Sequence, residues 1–271
     1  MGAESGATPR AASTSPRVDV SVVVVTYNAL PWIESCLASI EGYDTVVVDH
    51  GSTDGTVDEV RTRFPDVRIV TQENLGLGAG WNRGIRETSG SYVLILNADA
   101  WALDDAVDRL AAFADAHPRC GVAGPQMLDP DGTWQPSRRR FPTVMGTLVR
   151  RTPLRRAFPP LERQRDHYLL DERPAEPVET DWMLGGFLLL RRTMLDEIGG
   201  YDSGFRMYGE DIDLCYRAAR AGWARWYVPG AVVRHRWDRL TDRRMLTRRT
   251  LWHWRGMLRF VRKHPERLRA L

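Results

Sequence analysis

The stretch VSVVVVTYN (20–28) decides the fold. From Val20 to Val25 it is β-branched everywhere except Ser21, so both faces of a strand there would be apolar. That pattern belongs to a strand buried on both sides, as in a parallel sheet covered by helices. It then turns polar at Thr26-Tyr27-Asn28. Working outward, Thr45 to Val48 repeats the pattern and ends at Asp49, Val67 to Val70 repeats it again, and Tyr92 to Leu96 runs into Asn97-Ala98-Asp99. Segments with helical spacing lie between. Residues 31–41 open with Pro31 at a helix N-terminus and place Ile33, Leu37 and Ile40 on one face. Residues 54–64 align Val57, Val60 and Phe64, residues 79–88 follow a glycine-rich loop, and residues 104–117 are closed by Pro118. Strands alternating with helices predict an α/β, Rossmann-like, mostly parallel central sheet flanked by helices. Such sheets bind ligands at the carboxyl ends of their strands, where Tyr27, Asp49, Asn74 and Asp99 gather.

The second half reads differently. Residues 130–180 are rich in Pro and Arg and read as an excursion. Met183 to Leu190 is an apolar strand interrupted by Gly185-Gly186, followed by helices over 193–199 and 209–221. Short strands follow at Arg225 to Val228 and Ala231 to Val233, then a basic, aromatic helix over 243–263. On that helix Leu251, Trp254, Leu258 and Val261 share one face, and Arg255, Arg259 and Arg262 another. Such a helix suits an anionic bilayer surface; packing on the main domain with a solvated basic side is the other reading.

Composition sets limits. The chain has 271 residues, 43% hydrophobic and 27% charged, which is ordinary globular composition. Its formal net charge is only +3, yet all but one of its 38 basic residues are arginine, the exception being Lys263. No nucleic-acid recognition motif accompanies them. Cys36, Cys120 and Cys215 show no disulfide or metal spacing, which points to a reducing compartment. No apolar run approaches the roughly 20 residues of a transmembrane helix, and residues 1–17 lack the apolar centre of a signal peptide. The expectation is a cytoplasmic protein, peripheral at most on the inner face of the plasma membrane.

The motifs VVVVTYN (22–28), VVDHGSTDGT (47–56), NLGLGAGWNRG (74–84), LNAD (96–99), MLGGFLLLRR (183–192), GGYD (199–202) and YGEDIDLCYR (208–217) together resemble, in this order, the inverting family 2 glycosyltransferases of GT-A fold. GPQMLDPDGTWQPSRRRFP (124–142) is closest to bacterial dTDP-rhamnosyltransferases of cell-wall and O-antigen assembly. The resemblance implies a nucleotide-diphosphate sugar donor, a glycan or polyprenyl-diphosphate-linked acceptor, and Mg²⁺ or Mn²⁺ as cofactor. It divides the chain into a disordered segment (1–17), a nucleotide-sugar-binding half (18–120), an acceptor-binding and catalytic half (121–240) and a C-terminal basic helix (241–271).

Each motif implies a role. Tyr27, flanked by Thr26 and Asn28, would stack on the donor base; Asp49 would accept from it. His50 stands where the family usually has asparagine. Asn74, Gly76, Asn82 and Arg83 would meet the donor from the glycine-rich loop, with Asn97 and Ala98 beside them. Asp99 would ligate the metal that offsets diphosphate charge. His235 is a second ligand or a packing histidine, because the usual Gly and Ser/Thr partners are replaced by Arg236-Trp237-Asp238. Asp211 would be the base that takes the acceptor hydroxyl proton, with Glu210, Trp182, Gly185 and Gly186 holding the acceptor. Asp213 faces elsewhere on the helix and reads as structural. Two other classes compete. A sugar nucleotidyltransferase would carry a basic glycine-rich loop directly after the first strand, where this chain has Thr26-Tyr27-Asn28. A degenerate, non-catalytic binder of nucleotide-sugar or glycan would not need Asp49, Asp99 and Asp211.

Overall fold

A computed structural model describes residues 19–142, 173–236 and 248–268. The expected disordered segment, the middle of the Pro- and Arg-rich excursion (143–172) and the first turn of the expected last helix lie outside these residues. The elements in chain order are β1 (Val20–Thr26), α1 (Leu30–Ala38), β2 (Asp44–Asp49), α2 (Thr56–Arg63), β3 (Arg68–Thr71), α3 (Leu77–Arg86), β4 (Tyr92–Asn97), β5 (Ala100–Ala102) and α4 (Ala106–Ala116). Then come β6 (Cys120–Leu128), β7 (Trp134–Gln135), β8 (Arg138–Arg139), β9 (Val178–Glu179), β10 (Trp182–Met183) and β11 (Phe187–Arg191). The described chain closes with α5 (Arg192–Ile198), α6 (Glu210–Arg220), β12 (Ala224–His235), α7 (Arg248–Lys263) and a 3-10 turn (Pro265–Leu268).

A 10-stranded sheet carries both halves, with the main order β3-β2-β1-β4-β11-β6-β12-β5. β1 to β4 are parallel, as are β6 and β12, while β11 lies antiparallel between β4 and β6. The alternation of a strand sorts its side chains into two cores. Val22, Val24, Leu94, Leu96 and Phe187 face one core with α1 and α4. Val23, Val25, Val93, Ile95 and Leu188 face the other with Trp81, Met194 and Leu214. Each fully buried Val or Leu contributes about 1.5–3 kcal/mol, so a β-branched run with both faces covered is the firmest part of the molecule. Gly84 lets α3 approach β1 closely, since a Cβ there would lie 2.1 Å from Val23 Cγ1.

The second half departs from its sequence reading in three places. β6 is a long, buried, central strand that no periodicity announced, because Gly121, Gly124 and Pro125 interrupt it. A Cβ at Gly124 would meet Met183 Sδ at 2.5 Å, so the glycine admits a neighbouring side chain. The two short strands expected near the C-terminal end are one strand, β12, whose register shifts between Val228 and Val232 around Pro229-Gly230. The apolar run at 183–190 divides at the diglycine: β10 pairs with β8, whereas β11 enters the main sheet.

Candidate active site

The carboxyl ends of β1, β2 and β4 meet at one edge of the sheet, as parallel topology requires. Tyr27 there is 57% exposed, leaving its ring face open. Thr26 is buried, and its hydroxyl oxygen has no partner. Asn28 is held at φ 52°. Its N–H donates to Ser52 Oγ at 2.8 Å, and its Oδ1 accepts the Thr53 N–H at 2.8 Å. Asp49 is buried; its Oδ2 accepts the N–H groups of Gly51 and Ser52, both at 3.0 Å, and its Oδ1 accepts the Ser52 hydroxyl. Three of its roughly four lone-pair sites are thus used, leaving one for a ligand donor. His50 is buried beside Gly80, with Nε2 2.9 Å from Gln72 Nε2, and burial lowers its pKa.

Gly185 and Gly186 separate two groups of polar side chains. On one side, a Cβ at Gly186 would lie 3.1 Å from His235 Nε2, and the Gly186 carbonyl accepts the Asn97 N–H at 3.0 Å. Ala98 is buried here, and Asn97 Oδ1 is buried without a partner. Gln135 Nε2 donates to Asp129 Oδ1 at 2.8 Å, so its Oε1 is left to accept from His235 Nδ1 at 2.9 Å. That network places the imidazole proton on Nδ1 and leaves the Nε2 lone pair facing Asp99 Oδ1 at 3.7 Å. Burial holds the His235 pKa down, which favours the neutral, metal-ligating form. Among the described residues no three His, Cys, Asp or Glu side chains gather as a closed metal cage. Asp99 and His235, with the buried, unpartnered amide oxygen of Asn97 in the same segment as Asp99, could hold a cation that is shared with phosphate oxygens.

On the other side, a Cβ at Gly185 would lie 3.2 Å from the Trp81 indole and 3.5 Å from Asp211 Cβ. Gly209, at φ 104°, turns the chain into α6 immediately before Glu210-Asp211. Asp211 Oδ1 accepts the Ile212 N–H at 2.8 Å in the first turn, where the helix dipole favours an anion. Its carboxyl is half-buried and raised above the ordinary range by desolvation. Backbone donors and the Arg139 guanidinium oppose that rise. Glu210 is buried, Oε2 is unpartnered, and desolvation together with Asp211 raises its pKa further. Both carboxyls are thus pushed upward by burial, and two negative charges side by side are disfavoured. Tyr201, its hydroxyl buried without a partner and its pKa raised by desolvation, packs against Trp81 with ring centroids 4.8 Å apart and planes tilted by 43°.

The remaining expected residues take other places. Asn82 is occupied by the GGYD segment: Nδ2 donates to the Tyr201 carbonyl at 2.7 Å and Oδ1 accepts the Tyr201 N–H at 2.9 Å. Arg83 pairs with Glu87 at 2.8 Å on α3. Trp182 is 8% exposed and donates its indole N–H to the Arg140 carbonyl at 2.8 Å, so no ring face is left for a sugar. Asn74 is half-buried. Gly76, at φ 107°, has no room for a Cβ, which would lie 2.3 Å from the Arg206 carbonyl oxygen. Asp213 is wholly buried among Arg217, Lys263 and His264. Sequence reasoning missed Arg139, Gln135, Trp81 and Tyr201. Nothing in the sequence separates Arg139 from its neighbours Arg138 and Arg140; the structure buries it, where its guanidinium favours the Asp211 anion.

Known proteins resemble this chain in sequence and in fold. Residues 21–212 match the model of glycosyl transferase family 2. The N-acetylglucosaminyl-diphospho-decaprenol L-rhamnosyltransferase of Mycobacterium tuberculosis is 35% identical, over 79% of this chain and 75% of that protein. GalNAc-T7, solved with UDP, GalNAc and Mn²⁺, superposes with TM-score 0.60 at 19% identity over 81% of this chain and 44% of that one. The mannosyltransferase PcManGT of Pyrobaculum calidifontis, solved with GDP-Man and Mn²⁺, superposes with TM-score 0.56 at 23% identity over 87% of this chain and 62% of that one. A family match reaching from the first strand into the Glu210–Asp211 helix, with a relative this similar over most of its length, shows that the chain belongs to glycosyltransferase family 2 and is a hexosyltransferase of GT-A fold.

Proposed function

We propose that this enzyme is an inverting, divalent-metal-dependent rhamnosyltransferase. It moves L-rhamnose from dTDP-rhamnose to a hydroxyl of a lipid-diphosphate-linked sugar in cell-wall or polysaccharide synthesis. The observation that carries the reading is the diglycine, with the Asp99–His235 pair against Gly186 and Asp211 against Gly185. Backbone without side chains lets both groups approach the same two residues, where the donor sugar would be placed. The 35% identity to an enzyme named for this transfer supports the choice of sugar and acceptor.

The chemistry follows from the residues. Tyr27 supplies a face for the base, and the last lone-pair site of Asp49 accepts its imide N–H. Asp99 and His235 would hold Mg²⁺ or Mn²⁺, which when bound offsets the charge of the departing diphosphate. Asp211 removes the acceptor hydroxyl proton as oxygen bonds to the anomeric carbon from the face opposite the leaving group. The bond from that carbon to the diphosphate oxygen breaks, the electron pair leaves with the nucleoside diphosphate, and configuration inverts. Protonated Glu210 adds no second negative charge and can donate a hydrogen bond to the acceptor.

The test is a nucleotide-release assay with dTDP-, UDP- and GDP-sugars, with and without a lipid-diphosphate-GlcNAc acceptor. Acceptor-dependent release from dTDP-rhamnose, abolished by chelator, is expected. Faster release from another donor would overturn the choice of sugar, and release unchanged by chelator would overturn the metal.

A further inference from the structure

α7 packs on the body through Gly256, Met257, Phe260 and the His264 that follows it, not through the Leu251–Leu258 stripe. Leu251 and Leu258 are each 50% exposed. Between α7 and the 202–206 loop lies a cleft of about 770 Å³. Arg206, Arg255, Arg259, Arg262 and Lys263 line it, and Asp202 is its only carboxylate among the described residues. Asp202 is committed to Arg259 and Lys263, at 2.8 Å and 2.9 Å. Lys263 also reaches Asp213, at 2.9 Å. Arg206 lies over the Trp252 ring at 5.5 Å, and no carboxylate among the described residues pairs with Arg206, Arg255 or Arg262.

Unneutralised guanidiniums gathered in one concavity repel each other and focus a positive potential. Their planar forks match phosphate oxygens. The floor is apolar, made by Phe205, Trp252 and Leu258. The cleft also adjoins the reaction site. The Arg206 backbone touches Gly76 of the donor loop, and Gly256 of α7 lies against the Tyr208 carbonyl, two residues before Glu210.

We propose that this cleft binds the diphosphate of a lipid-borne diphosphate, with Arg206, Arg255 and Arg262 on the phosphates and Leu251 and Leu258 beside the first part of the hydrocarbon chain. The proposal rests on the lipid-linked acceptor read above and gives that acceptor its anchoring site. A diphosphate held here lies one loop away from Asp211, so the attached sugar would be presented to the base.

The test measures binding to the full chain by calorimetry, with Mg²⁺ and saturating dTDP occupying the donor site. The probes are farnesyl diphosphate, inorganic pyrophosphate, and phosphatidylglycerol vesicles without diphosphate lipid. Farnesyl diphosphate should bind best. Arg255→Gln and Arg262→Gln should each weaken it about tenfold, the loss expected for one charge-assisted contact, while dTDP affinity and melting temperature stay unchanged. Equal binding by the variants would overturn the site. Equal affinity for pyrophosphate would overturn the lipid part, and stronger binding to the vesicles would make the cleft a general anionic-membrane contact instead. No turnover is read, so failure here leaves the proposed transfer standing. Failure of the release assay with this binding intact would count against the transfer alone.

Discussion

Asp211 and Asp213 sit two residues apart on one helix, and their environments assign them opposite tasks that substitution to asparagine should separate. Asp213 is wholly buried and meets Arg217 at 2.7 Å, Lys263 at 2.9 Å and His264 at 2.8 Å. Neutralising it leaves Arg217 and Lys263 without their shared anion and takes a charged partner from His264. Breaking a buried pair in this way costs about 3–5 kcal/mol, which in a domain of this size lowers Tm by roughly 10 °C. Asp211 is half-buried and has no salt-bridge partner of that kind among the described residues; its carboxylate is raised toward the protonated form. An aspartate with a raised folded pKa lowers stability as pH rises through that pKa, so Asp211→Asn at neutral pH should leave Tm unchanged or slightly higher. Its loss should fall on kcat, by the 10²- to 10⁴-fold that a general base contributes. Thermal melts and the release assay on both variants decide the matter. Asp211→Asn with wild-type kcat would refute the base assignment. Asp213→Asn with unchanged Tm would refute the argument that burial and cation count set the difference.

Other consequences follow from the same geometry. The acid limb of kcat should lie above the ~4 of an ordinary aspartate, because desolvation raises Asp211; Glu210→Gln should retain that limb, and its disappearance in a pH profile would mean Glu210 is the base. Gly186→Ala would set a Cβ 3.1 Å from His235 Nε2, so the Mn²⁺ concentration for half-maximal activity should rise about tenfold, the lower end of what disturbed ligand support costs, with nucleotide affinity retained. Burial lowers the pKa of both His50 and His235. The unfolded chain takes up protons near pH ~6.5 and the folded chain resists, so urea stability should fall as pH drops through that value. Changing both residues to Gln should flatten the slope.

What the sequence made legible was local in the chain. β1, β2 and β4 show themselves because the residues of a doubly covered strand are nearly all apolar, and the polar residues after them then fall at one sheet edge without further information. β6 stayed hidden because its glycines serve neighbours far away in sequence, such as Met183. Asn82 reads as a donor contact within its own motif, yet its amide is spent on Tyr201, 119 residues on. His235 reads from its own motif as either ligand or packing residue, and the partner that orients its ring, Gln135, lies 100 residues earlier. The same logic separates the two aspartates of α6. The helix N-terminus would accept either one, but α7 brings Lys263 and His264 onto Asp213 and leaves Asp211 facing the diglycine. A base must keep a lone pair open to its substrate, and a structural carboxylate must not. Contacts arriving from the far end of the chain occupy Asp213 and not Asp211, so under the proposed mechanism α7 helps to leave Asp211 as the candidate base.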